Sequence, residues 1–152
     1  MSVSERLSEL GIELPAVAAP VAAYVPAVVH AGLVHTSGQL PFSGGALPAT
    51  GKVGAEVSAE DANTYARTCA LNALAAAADA AGGVDRIAGV LRVGGFVAST
   101  PDFTGQPGVI NGASLVLGEI FGDAGRHVRA AVGVPVLPLD SPVEVDVVFI
   151  LA

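Results

Sequence analysis

The chain has 152 residues, of which 52% are hydrophobic and 14% are charged, and its seven basic and fourteen acidic side chains give a formal net charge of -7. A chain of this length forms one domain and buries a core without disulfides or metal ions. The negative charge repels polyanions, so nucleic acid and anionic membranes are excluded as expected partners. So few charges are typical of a surface that other subunits cover, and we expect a homo-oligomer.

The sequence has neither the pattern of a secretory signal at its N-terminus nor that of a membrane-spanning segment. The N-terminal residues MSVSERLSEL lack the basic start and apolar run of a secretory signal, so a cytoplasmic location is expected. The alanine-rich stretch CALNALAAAADAAGG is interrupted by Asn72 and Asp79, whereas a membrane span needs about 18 to 20 strongly apolar residues. Cys69 is the only cysteine, which excludes an internal disulfide.

The first predicted elements are a short helix, a strand region and a long helix. Ser4 is a candidate cap for an amphipathic helix that ends near Gly11. The segment HAGLVHTSGQLP predicts a hairpin or meander, and a Gly/Pro-rich loop follows it. Ser58 is a candidate N-cap with acidic residues in the turn after it, and Gly82 and Gly83 are C-cap signals, so the long helix is predicted between them.

The second half of the chain predicts one more strand, one more helix and two closing strands. The strand is RIAGVLRVGGFVAS, and the helix lies between about Pro107 and Gly122, where an apolar stripe recurs at helical spacing. Strands, helix, strand, helix and strands in this order favour an α+β class, with a sheet and two helices packed on one of its faces.

The closing segment HVRAAVGVPVLPLDSPVEVDVVFI places a charge on each of two valine-rich strands. If its proline turn makes a hairpin that pairs residues 136 and 143, Arg129 and Glu144 share one face of the sheet, and Val132, Val134 and Val136 face the core. In this register Arg129 and Glu144 lie about 20 Å apart, at roughly 3.3 Å per residue. If both serve one site, they most simply meet across a subunit interface.

The pattern alone leaves the role of these two charges open. Arg129 could bind a ligand beside small residues, or it could be a solvated strand end or an ion-pair partner. Glu144 beside Asp146 equally fits a wet outer face of a sheet. Arg67 and Arg92 could face a ligand, but salt bridges are the more common use of arginines at helix and interface positions and are expected here. Tyr65 is expected to pack on its helix.

The histidines do not form a metal-binding motif, and no metal site is predicted. His30 and His35 are five residues apart on a presumed strand, which would point them to opposite faces, and no other ligand motif lies near His127. His127 precedes Arg129 by two residues and is therefore expected on the same face of the strand. Cys69 lies mid-helix among alanines and is expected to be a buried structural residue.

Several motifs together make the chain resemble the RidA/YjgF family of reactive-intermediate deaminases, formerly called L-PSP endoribonucleases. The resemblance covers about residues 18 to 150 and is strongest to the longer branch of the family. Residues 1–17 are therefore interpreted as an N-terminal extension and residues 18–152 as a single RidA/YjgF-like domain. The matching positions are Tyr24, Ser37 to Pro41, Ala66, Arg67, Asn72, Arg129, Val132, Val134, Leu137, Pro138, Val143 and Glu144.

The resemblance implies a chorismate-mutase-like fold that assembles as a trimer, with ligand clefts between subunits. It implies that Arg129 binds the carboxylate of a small 2-enamino or 2-imino acid and that Glu144 positions the attacking water. Tyr24, Gly38 and Asn111 correspond to residues that line the cleft. A guanidinium group suits this role because its planar fork donates two parallel hydrogen bonds to a carboxylate.

One departure from the family pattern affects the expected chemistry. The family deaminases usually carry Ser or Thr and then Cys directly after the arginine, where this chain has Ala130 and Ala131. Ala131 can serve as a cleft residue if that position acts through its backbone. The predicted function is a deaminase that converts 2-enamino or 2-imino acids to 2-oxo acids and ammonia without metal or cofactor. The alternative is a non-catalytic trimer that binds small carboxylates, whereas a ribonuclease is disfavoured by the acidic charge balance.

Overall fold

The computed structural model describes residues 1–20 and 22–152. Its helices and strands are, in chain order, α1 (Val3–Glu9), β1 (Ala27–His30), β2 (Leu33–Thr36), α2 (Ala59–Ala81), β3 (Ile87–Ala98), α3 (Gln106–Phe121), β4 (Val128–Val134) and β5 (Val143–Leu151). The architecture is α+β, as the sequence predicts, and the predicted positions of both long helices are confirmed.

The long helix α2 begins and ends where its capping residues predict. The Ser58 side chain accepts a hydrogen bond from the Asp61 backbone amide at 3.0 Å, which satisfies one of the free donors of the first turn. Glu60 and Asp61 place negative charge at the positive end of the helix dipole. The helix ends at Gly82, whose φ of 87° lies in the left-handed region that glycine adopts without strain.

The described strands form one five-stranded sheet with the order β1-β2-β5-β3-β4. The predicted hairpin between the closing strands is wrong, because β3 lies between β4 and β5 and pairs with both of them. β4 runs parallel to β3, and α3 supplies the crossover that a parallel connection needs. The proline-rich turn therefore carries the chain across β3 instead of closing a tight hairpin.

Both long helices cover one face of this sheet and form the core with it. Val93, Val145 and Val147 lie on this face and are at most 1% exposed. The two helices approach closely at Gly112, where an added Cβ would lie 2.8 Å from the Asn63 carbonyl carbon. Cys69 is buried in the same core, and burial raises the pKa of its thiol, which confirms the structural role predicted for it.

The strand registers correct the predicted distribution of side chains between the two faces. Arg129 pairs with Val93, which in turn pairs with Val147, so Arg129 lies on the helix-covered face. Glu144 pairs with Phe96 and lies on the opposite, open face. The predicted common face for Arg129 and Glu144 is therefore wrong.

The open face also holds two of the three valines that were predicted to face the core. Val132 lies opposite Phe96 and is 44% exposed, and Val134 lies two residues further along β4 on the same face. Val136 lies beyond the end of β4 and is 60% exposed. Val28 and Val128 are also exposed on the open face. The face of the sheet opposite the helices thus exposes apolar side chains to solvent.

The short N-terminal helix α1 is attached to the domain by hydrogen bonds and by one buried leucine. Its N-cap is Ser2, two residues before the predicted Ser4, and Glu5 completes a capping box with it. Ser4 instead donates to Asp85, from its backbone amide and its hydroxyl, both at 2.8 Å. Leu7 is buried in the core. Among the described residues, the structure has no helix with the length and apolar character of a bilayer span.

Candidate functional site

Glu144 lines a small pocket on the open side of the sheet. The pocket has a volume of about 50 Å³ and mixes apolar residues with a few polar groups. It is bounded by the N-terminal segment, the β2 end, the loop after it, and β5. Its lining residues are Ala18, Ala19, Pro20, Tyr24, Pro26, Gly38, Gln39, Leu40, Phe42, Pro138 and Glu144.

The backbone next to β5 brings Gly38 against the Glu144 carboxylate. Gln39 exchanges two backbone hydrogen bonds with Val145, at 2.8 and 3.0 Å, and this bridge fixes the position of residue 38. A Cβ at position 38 would lie 2.7 Å from both Cδ and Oε2 of Glu144. Only a glycine leaves the space that the carboxylate occupies here, because real Cβ atoms do not approach that closely.

The electrostatic surroundings of Glu144 favour its protonated form. Partial burial raises the pKa of the Glu144 carboxyl above its ordinary value, and the nearby Asp146 carboxylate raises it further. The pKa of Asp146 is also raised by burial, against the opposing effect of Arg92, whose Nη1 lies 3.7 Å from Asp146 Oδ1. A carboxyl group with a raised pKa in a pocket can take up and return a proton during a reaction.

Arg129 lies on the other side of the sheet, against α3. Its Nη1 donates to the Ser114 hydroxyl at 3.2 Å, and its Nη2 donates to the Pro107 carbonyl at 3.1 Å. Within the described part of the chain the ion pairs do not include Arg129. Its positive charge is therefore held in place without being neutralised by a carboxylate of the same chain.

The structure brings together three of the six residues that the sequence predicts for the site. Tyr24, Gly38 and Glu144 line the same pocket. Arg129 is separated from them by the sheet. The two groups of residues cannot enclose one small ligand within one chain.

The remaining two predicted residues lie near Arg129. Asn111 is exposed on α3, between Pro107 and Ser114, both of which accept hydrogen bonds from the guanidinium. Ala131 follows Arg129 on the same face of β4 and packs against the core. The predicted site residues thus fall into two groups on opposite sides of the sheet, and their assignment to one ligand site stays a prediction.

Sequence reasoning missed Ser114 as a member of this cluster. The Ser114 hydroxyl lies 2.8 Å from His127 Nε2 as well as 3.2 Å from Arg129 Nη1. The signal that could have found it is the spacing of three residues between Asn111 and Ser114, which puts both on one side of a helix. The expectation that His127 shares a face with Arg129 is confirmed, since Ser114 contacts both.

The other histidines lie on neighbouring strands. His30 and Leu33 are paired, and His35 lies two residues after Leu33, so His30 and His35 share a face of the β1-β2 hairpin. The predicted opposite faces are wrong, because a turn separates the two residues. Among residues 1–20 and 22–152, no group of three or more His, Cys, Asp or Glu side chains is arranged to hold a metal ion.

The other candidate side chains of the sequence analysis form salt bridges or pack against the core. Arg67 Nη1 lies 3.5 Å from Glu119 Oε2, and Arg92 forms its ion pair with Asp146, so both expected salt bridges are confirmed. Tyr65 packs against the core from α2, as predicted.

The fold and the sequence place the chain among known proteins. The architecture is that of the chorismate-mutase-like α+β proteins, and the family model described as "YjgF/chorismate mutase-like, putative endoribonuclease" matches residues 4–152. The chain belongs to the RidA/YjgF family, as its motifs predict.

Three relatives show how far the similarity extends. Protein TCP17 of Trypanosoma cruzi is 44% identical over 147 residues, which are 95% of this chain and 91% of that protein. The crystal structure of Atu1372 from Agrobacterium tumefaciens gives a TM-score of 0.90 at 41% identity and covers 99% of this chain and 92% of that one. A crystal structure from Shewanella oneidensis MR-1 gives a TM-score of 0.94 at 35% identity, over 99% of this chain and 100% of that one.

Proposed function

We propose that the protein is a homotrimeric deaminase that hydrolyses small 2-enamino or 2-imino acids to 2-oxo acids and ammonia. The proposal is carried by two groups of residues, which we call half-sites: a pocket that contains Glu144, whose carboxyl has a raised pKa, and an Arg129 that is held by hydrogen bonds and has no carboxylate partner among the described residues of its own chain. The family signature that contains both residues supports the same reaction.

The proposed chemistry needs few groups because the carbon of an imine is already electrophilic. The Arg129 guanidinium binds the substrate carboxylate through parallel N–H···O bonds and fixes its plane. Glu144 orients a water and takes one of its protons while the water oxygen bonds to C2. Glu144 returns that proton to the imine nitrogen, which gives a carbinolamine. The C2–OH proton then passes to the same nitrogen as the C2–N bond breaks, so ammonia leaves and C2 ends as the carbonyl of a 2-oxo acid. A 2-enamino acid enters this sequence after its N–H proton has moved to C3 to form the imine. Asn111, Tyr24 and the backbone at Gly38 and Ala131 line the cleft in this proposal.

The proposed assembly joins the half-sites of neighbouring subunits. A sheet face with exposed Val28, Val128 and Val132 and no helix over it is the kind of surface that oligomers cover. In the proposed cyclic trimer the free edge of β4, which carries Arg129, lies beside the open face of the neighbouring subunit, so that each cleft takes Arg129 from one chain and Glu144 from another. Arg92 and Asp146 would then lie between subunits as a pair.

Ammonia release from enzymatically generated 2-aminoacrylate tests the proposal. The wild-type protein should release ammonia, and Arg129→Ala should lose most of this activity, because the substrate carboxylate loses its charged partner. Arg126→Ala is the matched control, since Arg126 is an exposed arginine three residues earlier in the chain. Release that survives in Arg129→Ala, or is lost equally in Arg126→Ala, would contradict the proposal.

The second candidate function is a trimer that binds small carboxylates without turnover. The observation that favours it is the pair Ala130 and Ala131, which replaces the hydroxyl and thiol side chains usual in the family deaminases. Binding of pyruvate that needs Arg129, without ammonia release from any 2-imino acid, would support this candidate over the enzyme.

The family description also raises RNA cleavage, and the charges of this chain argue against it. Four of its seven basic side chains lie within 4 Å of a carboxylate, namely Arg6, Lys52, Arg67 and Arg92. Binding of single-stranded RNA needs a positive groove with stacking aromatic side chains. RNA cleavage that depends on Arg129 and Glu144 would overturn the deaminase proposal.

A further inference from the structure

In the Arg129 half-site a continuous chain of hydrogen bonds links the guanidinium, through Ser114 and His127, to the Gly125 carbonyl. The Ser114 hydroxyl oxygen lies 3.2 Å from Arg129 Nη1 and 2.8 Å from His127 Nε2. His127 Nδ1 lies 2.6 Å from the Gly125 carbonyl oxygen. Ser114, His127 and Arg129 are each partly buried.

The chemistry of the end groups fixes the direction of each bond when the imidazole is neutral. A guanidinium can only donate, and a carbonyl oxygen can only accept. His127 Nδ1 therefore carries the proton that it donates to Gly125, and Nε2 accepts. The Ser114 hydroxyl must then donate to Nε2, which leaves its lone pairs for the N–H of Arg129.

We propose that Ser114 and His127 are positioning residues that hold the Arg129 guanidinium ready for a substrate carboxylate. This inference rests on the proposed function. Ser114 and the Pro107 carbonyl each hold one terminal nitrogen of Arg129, so the plane of the guanidinium is set before a ligand arrives. Two of the five N–H groups are used in this way, and the other three remain for a ligand.

The proposal explains how a chain with Ala130 and Ala131 keeps a polar partner for its arginine. The strand itself offers no hydroxyl or thiol after Arg129, but α3 supplies the hydroxyl of Ser114 from the neighbouring element. His127 acts through Ser114, because its Nε2 accepts the hydrogen bond of the hydroxyl and so keeps the oxygen lone pairs turned to Arg129. A guanidinium held in this way loses less freedom on binding, which increases affinity.

The test compares Ser114→Thr with Ser114→Val, because these side chains have nearly the same shape and differ in the hydroxyl. Both are β-branched in a helix, so their helical costs are similar. Ser114→Val should raise the Kd for pyruvate and the KM for 2-aminoacrylate about 10-fold, the effect of one lost hydrogen bond to a charged group. The kcat should change little, and Ser114→Thr should behave like wild type.

A second pair tests His127. His127→Gln keeps a side-chain acceptor for the Ser114 hydroxyl, whereas His127→Leu removes it. The Leu variant should reproduce the higher KM, and the Gln variant should restore most of the affinity. Thermal unfolding of each variant shows whether a loss of affinity is only a loss of fold.

The Arg129 side chain can also be observed directly. Arginine Nε–Hε signals in a ¹⁵N NMR spectrum, with the Arg129 signal assigned from Arg129→Lys, report how tightly the guanidinium is held. Ser114→Val should speed the solvent exchange of the Arg129 signal, while Ser114→Thr should not.

The outcomes separate this inference from the proposed function. If the wild type binds pyruvate and releases ammonia but the Val and Thr variants have equal KM values and exchange rates, the positioning role is overturned and the function stands. A wild type that neither binds pyruvate nor releases ammonia overturns both.

Discussion

Gly112 and Gly118 lie in the same helix, α3, and should respond in opposite ways to replacement by alanine. At Gly112 an added Cβ would lie 2.8 Å from the Asn63 carbonyl carbon and 3.2 Å from Asn63 Cγ, and still nearer to the Asn63 carbonyl oxygen. At Gly118 no atom of the described residues lies within 4 Å of an added Cβ, apart from the adjoining backbone of the same helix. The carbonyl belongs to the backbone of α2, so it cannot rotate away as a side chain could.

The expected magnitudes follow from these contacts. Gly112→Ala requires the two helices to separate by roughly 1 Å, and overpacking of this kind costs about 1 to 3 kcal/mol or more. Replacing a helical glycine by alanine stabilises by about 0.5 to 1 kcal/mol, which offsets part of that cost at residue 112 and is the whole effect at residue 118. Because that gain applies at both positions, the free energies of unfolding of the two variants should differ by the overpacking cost alone, about 1 to 3 kcal/mol or more.

Urea unfolding at one fixed protein concentration measures this difference. Gly112→Ala should lower the midpoint and Gly118→Ala should raise it, with similar slopes for both. At about 2 to 4 °C per kcal/mol for a chain of this size, the melting temperatures should differ by roughly 2 to 12 °C. Equal stability of the two variants would refute the close approach of α2 and α3 at Gly112.

Three further predictions concern Glu144 and the N-terminal helix. Gly38→Ala should displace the Glu144 carboxylate, because the new Cβ would lie 2.7 Å from Glu144 Cδ. The variant should release ammonia about 10- to 100-fold more slowly and keep the wild-type melting temperature. An unchanged rate would contradict the packing at residue 38. Because the folded state raises the pKa of Glu144, this carboxyl contributes stability below its unfolded pKa and loses it as pH rises through the folded pKa. Wild type should therefore lose stability relative to Glu144→Gln as the pH rises above about 4, the ordinary range of a glutamate pKa, and a difference that does not change with pH would exclude this effect. Hydrogen bonds from the Ser4 backbone amide and, to a smaller extent, from the Ser4 hydroxyl lower the pKa of Asp85. Asp85 therefore contributes to folding stability above its unfolded pKa, and this contribution is lost as pH falls through its folded pKa. Asp85→Asn should thus make the segment around α1 easier to cleave in limited proteolysis at neutral pH, whereas an unchanged cleavage rate would show that the contact does not hold α1.

Local signals in the sequence were sufficient for the long helices. Ser58, Gly82 and the acidic first turn of α2 act within a few residues of one another, so their effect does not depend on the rest of the fold. The same is true of the β-strand composition of β3 and β5. The order of these elements was enough to predict the α+β class.

Strand pairing depended on contacts that no local pattern shows. The closing segment has the composition of a hairpin, yet β3 occupies the position between β4 and β5. The strands that pair with each other determine which residues share a face of the sheet. Because the predicted pairing of β4 with β5 was wrong, the prediction that Arg129 and Glu144 share a face was wrong as well. The sequence order strand, helix, strand from β3 through α3 to β4 was the available sign of a parallel pair.

The sequence predicted only those residues of the candidate site that belong to family motifs. Tyr24, Gly38 and Glu144 come from separate parts of the motif pattern and line one pocket. The motif pattern did not contain Ser114, because its contacts with Arg129 and His127 arise from the packing of α3 on β4. Such contacts are set by tertiary structure and have no fixed spacing in the chain.

The central proposal is that one cleft takes Arg129 from one subunit and Glu144 from its neighbour, and a mixed-subunit measurement of ammonia release tests it most directly. Arg129→Ala and Glu144→Gln, each inactive alone, are co-expressed in equal amounts and purified as hybrid assemblies through two different tags. A cyclic trimer that contains both kinds of subunit has one complete cleft out of three, so the purified hybrids should recover about a third of the wild-type rate and the unfractionated random mixture about a quarter. A mixture that forms hybrids and remains as inactive as its parents would contradict the shared cleft.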